Sequence, residues 1–230
     1  STTTPPGGNN SNNNNDNSTT KPDNSNSDST SNSSTVQKLR IDNFGYSVIK
    51  GTSSQGSHVH TFFSITNPNK DYDVKSVHIR YYVKDESGAV IGTAWYDLPQ
   101  LAPGDSTLFG AEIFVDSGTV KSVSYTVIYD SCVATKHSDT NFPKCANLKA
   151  SNISYVPNSG NFDWPRIKGT LFNASSSDVT GVCIQVFYKK NGKIVAYDCG
   201  YLEDANYNFI TLHPGESAPF DVIASTFYNF

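Results

Sequence analysis

Val77-His78-Ile79-Arg80-Tyr81-Tyr82-Val83-Lys84 decides the fold, because the chain carries this pattern twice. Val182-Cys183-Ile184-Gln185-Val186-Phe187-Tyr188-Lys189 repeats it. Both copies are rich in β-branched and aromatic residues, which suit a pleated, half-buried strand. Each is followed by a turn with glycine (Gly88, Gly192), a second β-rich run (90–98, 194–202) and a Pro-Gly turn. The Pro-Gly turns read Leu101-Ala102-Pro103-Gly104-Asp105-Ser106 and Leu212-His213-Pro214-Gly215-Glu216-Ser217. Leu108-Phe109 and Pro219-Phe220 end the match, and upstream Phe63-Ser64-Ile65-Thr66-Asn67 lies over Gly169-Thr170-Leu171-Phe172-Asn173. A period of about 105 residues is too long for a solenoid unit and implies two copies of one module.

The rest of the chain agrees. Further β-rich runs at 36–41, 46–49, 58–66, 108–115 and 120–129 are separated by Pro, Gly, Asn and Asp turns. Short strands about ten residues apart predict a sandwich or barrel. No long window has a 3.6-residue period, so little or no helix is expected. The expected fold is all-β: two tandem immunoglobulin-like β-sandwich modules, 36–131 and 145–230, joined between Asp130 and Asn147. Residues 1–35 contain no Val, Ile, Leu or aromatic residue. With nothing to bury, they cannot offset the entropy of ordering and read as a disordered Asn/Ser/Thr-rich tether. The run 120–129 has no counterpart after Phe220. Either the sequence ends before that strand, or the strand is replaced locally, or module 2 keeps an open sheet edge that accepts a strand from another copy or partner.

The layout of Asn67 and Asn173, Gly88 and Gly192, and Pro103-Gly104 and Pro214-Gly215 resembles the FxLYD-type and related extracytoplasmic immunoglobulin-like repeats of prokaryotic surface proteins and lipoproteins. The resemblance covers 60–130 and 168–223. It implies a β-sandwich at a cell surface and supplies no catalytic residues.

Four cysteines are present, Cys132, Cys145, Cys183 and Cys199, with no C-x-x-C pair. The even count and the low charge favour an oxidising compartment. A hairpin turning at Asn191-Gly192 would set Cys183 and Cys199 opposite each other, at disulfide distance. Cys132 and Cys145 would then close a loop of about 14 residues at the junction, each bond contributing roughly 3 kcal/mol. Buried free thiols are the bland alternative.

Chemistry-bearing motifs are thin. There is no G-x-S-x-G, H-E-x-x-H, Walker or calcium-loop pattern, so no enzyme, cofactor or metal is expected. His58 and His60 lie on one face of a strand. With Val59, Phe63 and Ile65 buried opposite, they read as a solvent-facing polar row rather than as metal ligands. With 17 Lys and Arg against 21 Asp and Glu, the chain is not a nucleic-acid binder by charge. No run is apolar enough to span a bilayer, leaving an N-terminal lipid anchor as the only membrane link. Most aromatics read as core. Trp95, Tyr96, Trp164 and Tyr201 are the candidate ligand-stacking set.

The expected function is therefore a non-catalytic extracellular or cell-surface protein with a structural, spacer or self-assembly role. The alternative is a carbohydrate- or protein-binding accessory module. Its partners would be a surface protein or glycan, or another copy through the module 2 edge.

Overall fold

The computed structural model describes residues 36–50, 56–157 and 164–225; the tether expected over 1–35 lies outside them. Module 1 contains β1 (Arg40–Lys50), β2 (Ser57–Thr66), β3 (Tyr72–Lys75), β4 (His78–Lys84), β5 (Val90–Asp97), β6 (Ser106–Val115), β7 (Ser122–Ile128) and β8 (Val133–Lys136). Antiparallel sheets β1-β2-β6 and β5-β4-β7 are, in immunoglobulin lettering, A-B-E and C′-C-F. Alternation turns Val59, Phe63 and Ile65 of β2, Phe109, Ala111 and Ile113 of β6, and Ile79, Tyr81 and Val83 of β4 into one shared core.

Module 2 repeats this plan with β9 (Leu148–Val156), β10 (Arg166–Asn173), β11 (Cys183–Lys190), β12 (Lys193–Tyr201) and β13 (Ser217–Ile223). Its sheets are β9-β10-β13 and β11-β12, around a second, smaller core of Ile167, Leu171, Leu202, Leu212, Phe220 and Val222. The repeat extends to irregularities. The β4–β5 register shifts between Val83 and Lys84, and the β11–β12 register shifts at the matching Tyr188 and Lys189. Helix among the described residues is limited to one turn at His137–Thr140 and a 3-10 turn at Cys145–Asn147.

Two short strands were not legible in the sequence. β3 pairs with β8, so module 1 reaches Lys136 rather than ending at 131. Each has only four residues, and neither declares itself without its distant partner.

The asparagines of the repeat act as buried staples. Asn67 Nδ2 donates to the carbonyls of Tyr72 (2.8 Å), Leu101 (2.9 Å) and Ala102 (3.1 Å). Asn173 Nδ2 donates to those of Ser177 (2.8 Å) and Leu212 (3.0 Å). Backbone bonds Gly104 N to Asn67 O and Gly215 N to Asn173 O dock each Pro-Gly turn on the same residue. The glycines sit at φ +66° and +81°, a region that favours glycine.

Module 2 packs through β12 onto the outer face of the β1-β2-β6 sheet. Ser47 Oγ bonds the Val195 carbonyl, Tyr197 N–H donates to His60 Nδ1 (3.3 Å), and Gln185 Oε1 accepts from Gly110 N–H (3.1 Å). This overturns the reading of His60 as solvent-facing: the residue is fully buried. Module 1 read alone leaves that face open, and the second module closes it.

Candidate functional site: an aromatic cleft between the modules

Beside this junction lies an open cleft of about 720 Å³. Module 1 contributes Trp95, Tyr96 and Asp97 from β5 and Thr107 to Gly110 from β6. Module 2 contributes Cys183, Gln185, Phe187, Tyr197, Cys199 and Tyr201 from β11 and β12. The strands position these groups by alternation. Tyr81, opposite Ala94, points into the core, so the side chains flanking Ala94 in β5 include an outward Trp95.

Trp95 is 51% exposed and Tyr201 51%. Phe209 extends the Tyr201 surface, with ring centroids 5.3 Å apart. Trp95 stacks obliquely on His78 at 5.2 Å. Of the four candidate stacking residues, the structure brings Trp95, Tyr96 and Tyr201 together. Tyr96 is held as a wall by its hydroxyl, which donates to the Glu112 carbonyl. Trp164 precedes β10 and does not line the cleft. Phe209 had no sequence signal: it follows a turn and joins through an isolated bridge between Glu203 and Phe209.

Cys183 pairs with Tyr201 and Cys199 with Gln185, so these cysteines are diagonal neighbours rather than directly opposed. The two-residue turn at Asn191-Gly192 and the register shift after Tyr188 each move the partner of Cys183 on by one residue, from the expected Cys199 to Tyr201. All four cysteines are free thiols, but Cys183 and Cys199 share a hydrogen bond. Cys183 donates, which holds the Cys199 thiol down to about 6 and raises Cys183. Cys145 lines the cleft with its backbone N–H on Asp105 (2.7 Å), and burial pushes its thiol up to about 12. Cys132 packs beside the module 1 core.

At the rim, His78 joins Asp97 (Nδ1 to Oδ1, 2.5 Å) and Ser131 (Nε2 to Oγ, 2.7 Å). The connectivity is that of a nucleophile–base–acid relay: His78 Nδ1 donates to the Asp97 carboxylate, and Ser131 Oγ lies within reach of both His78 Nε2 and the Ser76 carbonyl (3.2 Å), only one of which its single proton can serve. The trio clips the turn after β7 to the β4–β5 hairpin. Among the described residues no three His, Cys, Asp or Glu side chains converge as a metal-ligand set.

His60 is the buried titratable group of the junction. Burial lowers its pKa below the usual 6.5, opposed by Glu112 and Asp198 and reinforced by His58. Its Nε2 lies 3.7 Å from Glu112 Oε1. Because the fold favours the neutral ring, this stability is complete above pH 6.5 and declines as pH falls below it. A proton on Nδ1 would also oppose the Tyr197 N–H. Urea unfolding across this window is expected to show a pH slope that His60→Gln removes; an unchanged slope would place the sensitivity elsewhere.

No family model matches the chain, and no curated protein matches it. Among solved structures, the chain is similar to the N-terminal CBM22-1–CBM22-2 tandem domain from Paenibacillus barcinonensis Xyn10C. The identity is 12%, over 83% of this chain and 82% of that one, with a TM-score of 0.13. A likeness of that size bears on neither fold nor function.

Proposed function

We propose that the chain is a non-catalytic extracytoplasmic surface protein that binds a glycan in the cleft between its modules. The observation carrying this reading is the pairing of half-exposed Trp95 and Tyr201, one from each module, across a concave surface that also presents the Asp97 carboxylate. Exposed aromatics in a concavity mark recognition more often than scaffolding. Flat rings pack on the apolar C–H faces of a sugar, while amide and carboxylate groups accept its hydroxyls. A spacer gives no reason to keep these rings in water.

Secretion, an N-terminal lipid anchor, and descent of the two modules from one repeated unit belong to the same reading. So does a Cys183–Cys199 disulfide, formed where the thiols already touch. It would brace the module 2 wall of the cleft.

The test is a screen of soluble oligosaccharides by calorimetry on the 230-residue chain, with intact mass measured before and after reduction. A ligand is expected whose affinity falls about tenfold or more, roughly 1.5 kcal/mol, in Trp95→Ala and in Tyr201→Ala but not in Trp164→Ala. Failure to bind any glycan, or equal loss in all three variants, would remove the cleft from consideration.

A further inference from the structure

The chain builds one tight turn twice, and the second copy carries a residue that the turn does not favour. In the β4–β5 hairpin, Asp85 N–H donates to the Ala89 carbonyl (3.0 Å) and Gly88 N–H to the Asp85 carbonyl (3.1 Å). Asp85 Oδ1 accepts from the N–H groups of Ser87 (2.9 Å) and Ala89 (3.0 Å). After β12 the same bonds recur around Asp204. Its N–H donates to the Asn208 carbonyl (2.9 Å), and Tyr207 N–H donates to its carbonyl (3.0 Å). Asp204 Oδ1 accepts from the N–H groups of Asn206 (2.8 Å) and Asn208 (3.0 Å). The fourth position is left-handed in both turns, with Gly88 at φ +84° and Tyr207 at +62°. Glycine takes that conformation without strain, whereas a bulky side chain there is an outlier. Packing does not offset the strain, because Tyr207 is 83% exposed. Neither the backbone nor the core favours a ring at this position.

The turn hangs from the Tyr201 end of the cleft. Glu203 bridges to Phe209, and Ile210 N–H donates to the Leu202 carbonyl (3.0 Å). The Tyr201 and Phe209 rings are in contact, and Tyr207 is two residues from Phe209, at most about 7 Å along the chain. Trp95, Tyr201, Phe209 and Tyr207 are all more than half exposed. Resting on the glycan reading of the cleft, we propose that Tyr207 is an outer subsite ring. The ligand is then a linear oligosaccharide, running from Trp95 over Tyr201 and Phe209 to Tyr207, rather than a single sugar. The turn suits that ligand. Residues 203–209 contain no cation and no Val, Ile or Leu, and Glu203 and Asp204 would be repelled by an anionic lipid surface. Exposed Asn206 brings an amide for sugar hydroxyls. Each sugar unit laid over a further ring adds contact area and therefore affinity. The strain at Tyr207 is offset when that ring is covered.

The probes are linear gluco-, xylo-, manno- and chito-oligosaccharides, from disaccharide to hexasaccharide, titrated calorimetrically into the 230-residue chain. In the series that binds, affinity is expected to rise by about tenfold or more from disaccharide to hexasaccharide. Tyr207→Gly should remove that gain and Tyr207→Phe should keep it, with the disaccharide as the internal reference. Trp95→Ala, by contrast, should weaken binding at every length. Tyr207→Gly should also raise the melting temperature by about 2–4 °C, since glycine relieves the left-handed strain. A gain with length that survives Tyr207→Gly, or an affinity that does not change with length, overturns this inference and leaves the cleft reading standing. So does a lower melting temperature in Tyr207→Gly, which would make the ring part of the fold. Failure of every oligosaccharide, short and long, overturns both. Self-association that Tyr207→Gly abolishes assigns the ring to a second copy and overturns the choice of ligand.

Discussion

Asn67→Ala is expected to destabilise module 1 by about 3–4 kcal/mol. The side chain is fully buried and its amide satisfies three carbonyls from two separate loops. Its Oδ1 accepts from the backbone N–H of Asn69 (3.1 Å) and from Asn69 Nδ2 (2.8 Å). Asn69 in turn exchanges bonds with Gln37, three residues before β1. Alanine leaves the Asn69 N–H without its acceptor and takes one donor from each of the three carbonyls, of which those of Leu101 and Ala102 keep the backbone N–H of Val74 and Asp105; each buried orphan costs roughly 1–3 kcal/mol before relaxation. Water entering the site recovers part of that. At about 4–8 °C per kcal/mol for a domain of this size, melting should fall by roughly 15–25 °C. Asn67→Asp should do no better, since it keeps the acceptor and loses the donors. Asn173→Ala should cost less, because that amide serves two carbonyls rather than three. Calorimetry on the three variants checks the order. Equal, small losses would mean that the Pro-Gly turns hold without their staples.

Gly110→Val should part the modules without unfolding either. Gly110 is buried in β6, on the face away from the module 1 core. A Cβ there meets Tyr197 ring carbons at 2.6 and 2.7 Å and Phe187 at 3.0 Å. The closest atoms belong to the ring next to its attachment, so a tip rotation does not relieve the clash. Overpacking of this kind costs about 1–3 kcal/mol, and valine adds two further methyl groups. The strain falls on the contact that also carries the Gln185 and His60 bonds. Small-angle scattering should show a larger radius of gyration, and β2 and β12 amides should exchange faster while those of β4 stay protected. Glycan affinity should fall with it, since the two cleft walls no longer meet. An unchanged scattering curve and unchanged exchange would show that β12 yields locally.

Much of the architecture was legible because it rests on local pattern. Alternation marked the β4 and β11 strands, and glycine and proline marked the turns. The repeat then supplied the pairing that the two modules share, β4 with β5 and β11 with β12, down to the shifted register. Three things were not legible. β3 and β8 carry too few residues to be seen apart. The diagonal relation of Cys183 and Cys199 depends on one extra residue at a bulge, which symmetry about a turn does not reveal. The burial of His60 and Gly110 depends on one module lying on the other, and no pattern within β2 or β6 encodes it. Trp95 and Tyr201 could be singled out by type, but their meeting across the junction, with Trp164 left outside, is a property of the packed molecule.

The likeness of the two modules sets a problem of timing. β7 fits β4, but by the same chemistry it also fits β11. A chain folding all at once must choose between a correct closure and a crossed one. Synthesis from the N-terminus removes the choice. The roughly 60 residues between β7 and the end of β11 take about 3–12 s to emerge at ~5–20 residues per second, while β-sandwiches fold in milliseconds to seconds. β7 is therefore committed before its rival site exists. Refolding from denaturant has no such head start, and a crossed pairing of β7 with β11 is then a kinetic trap.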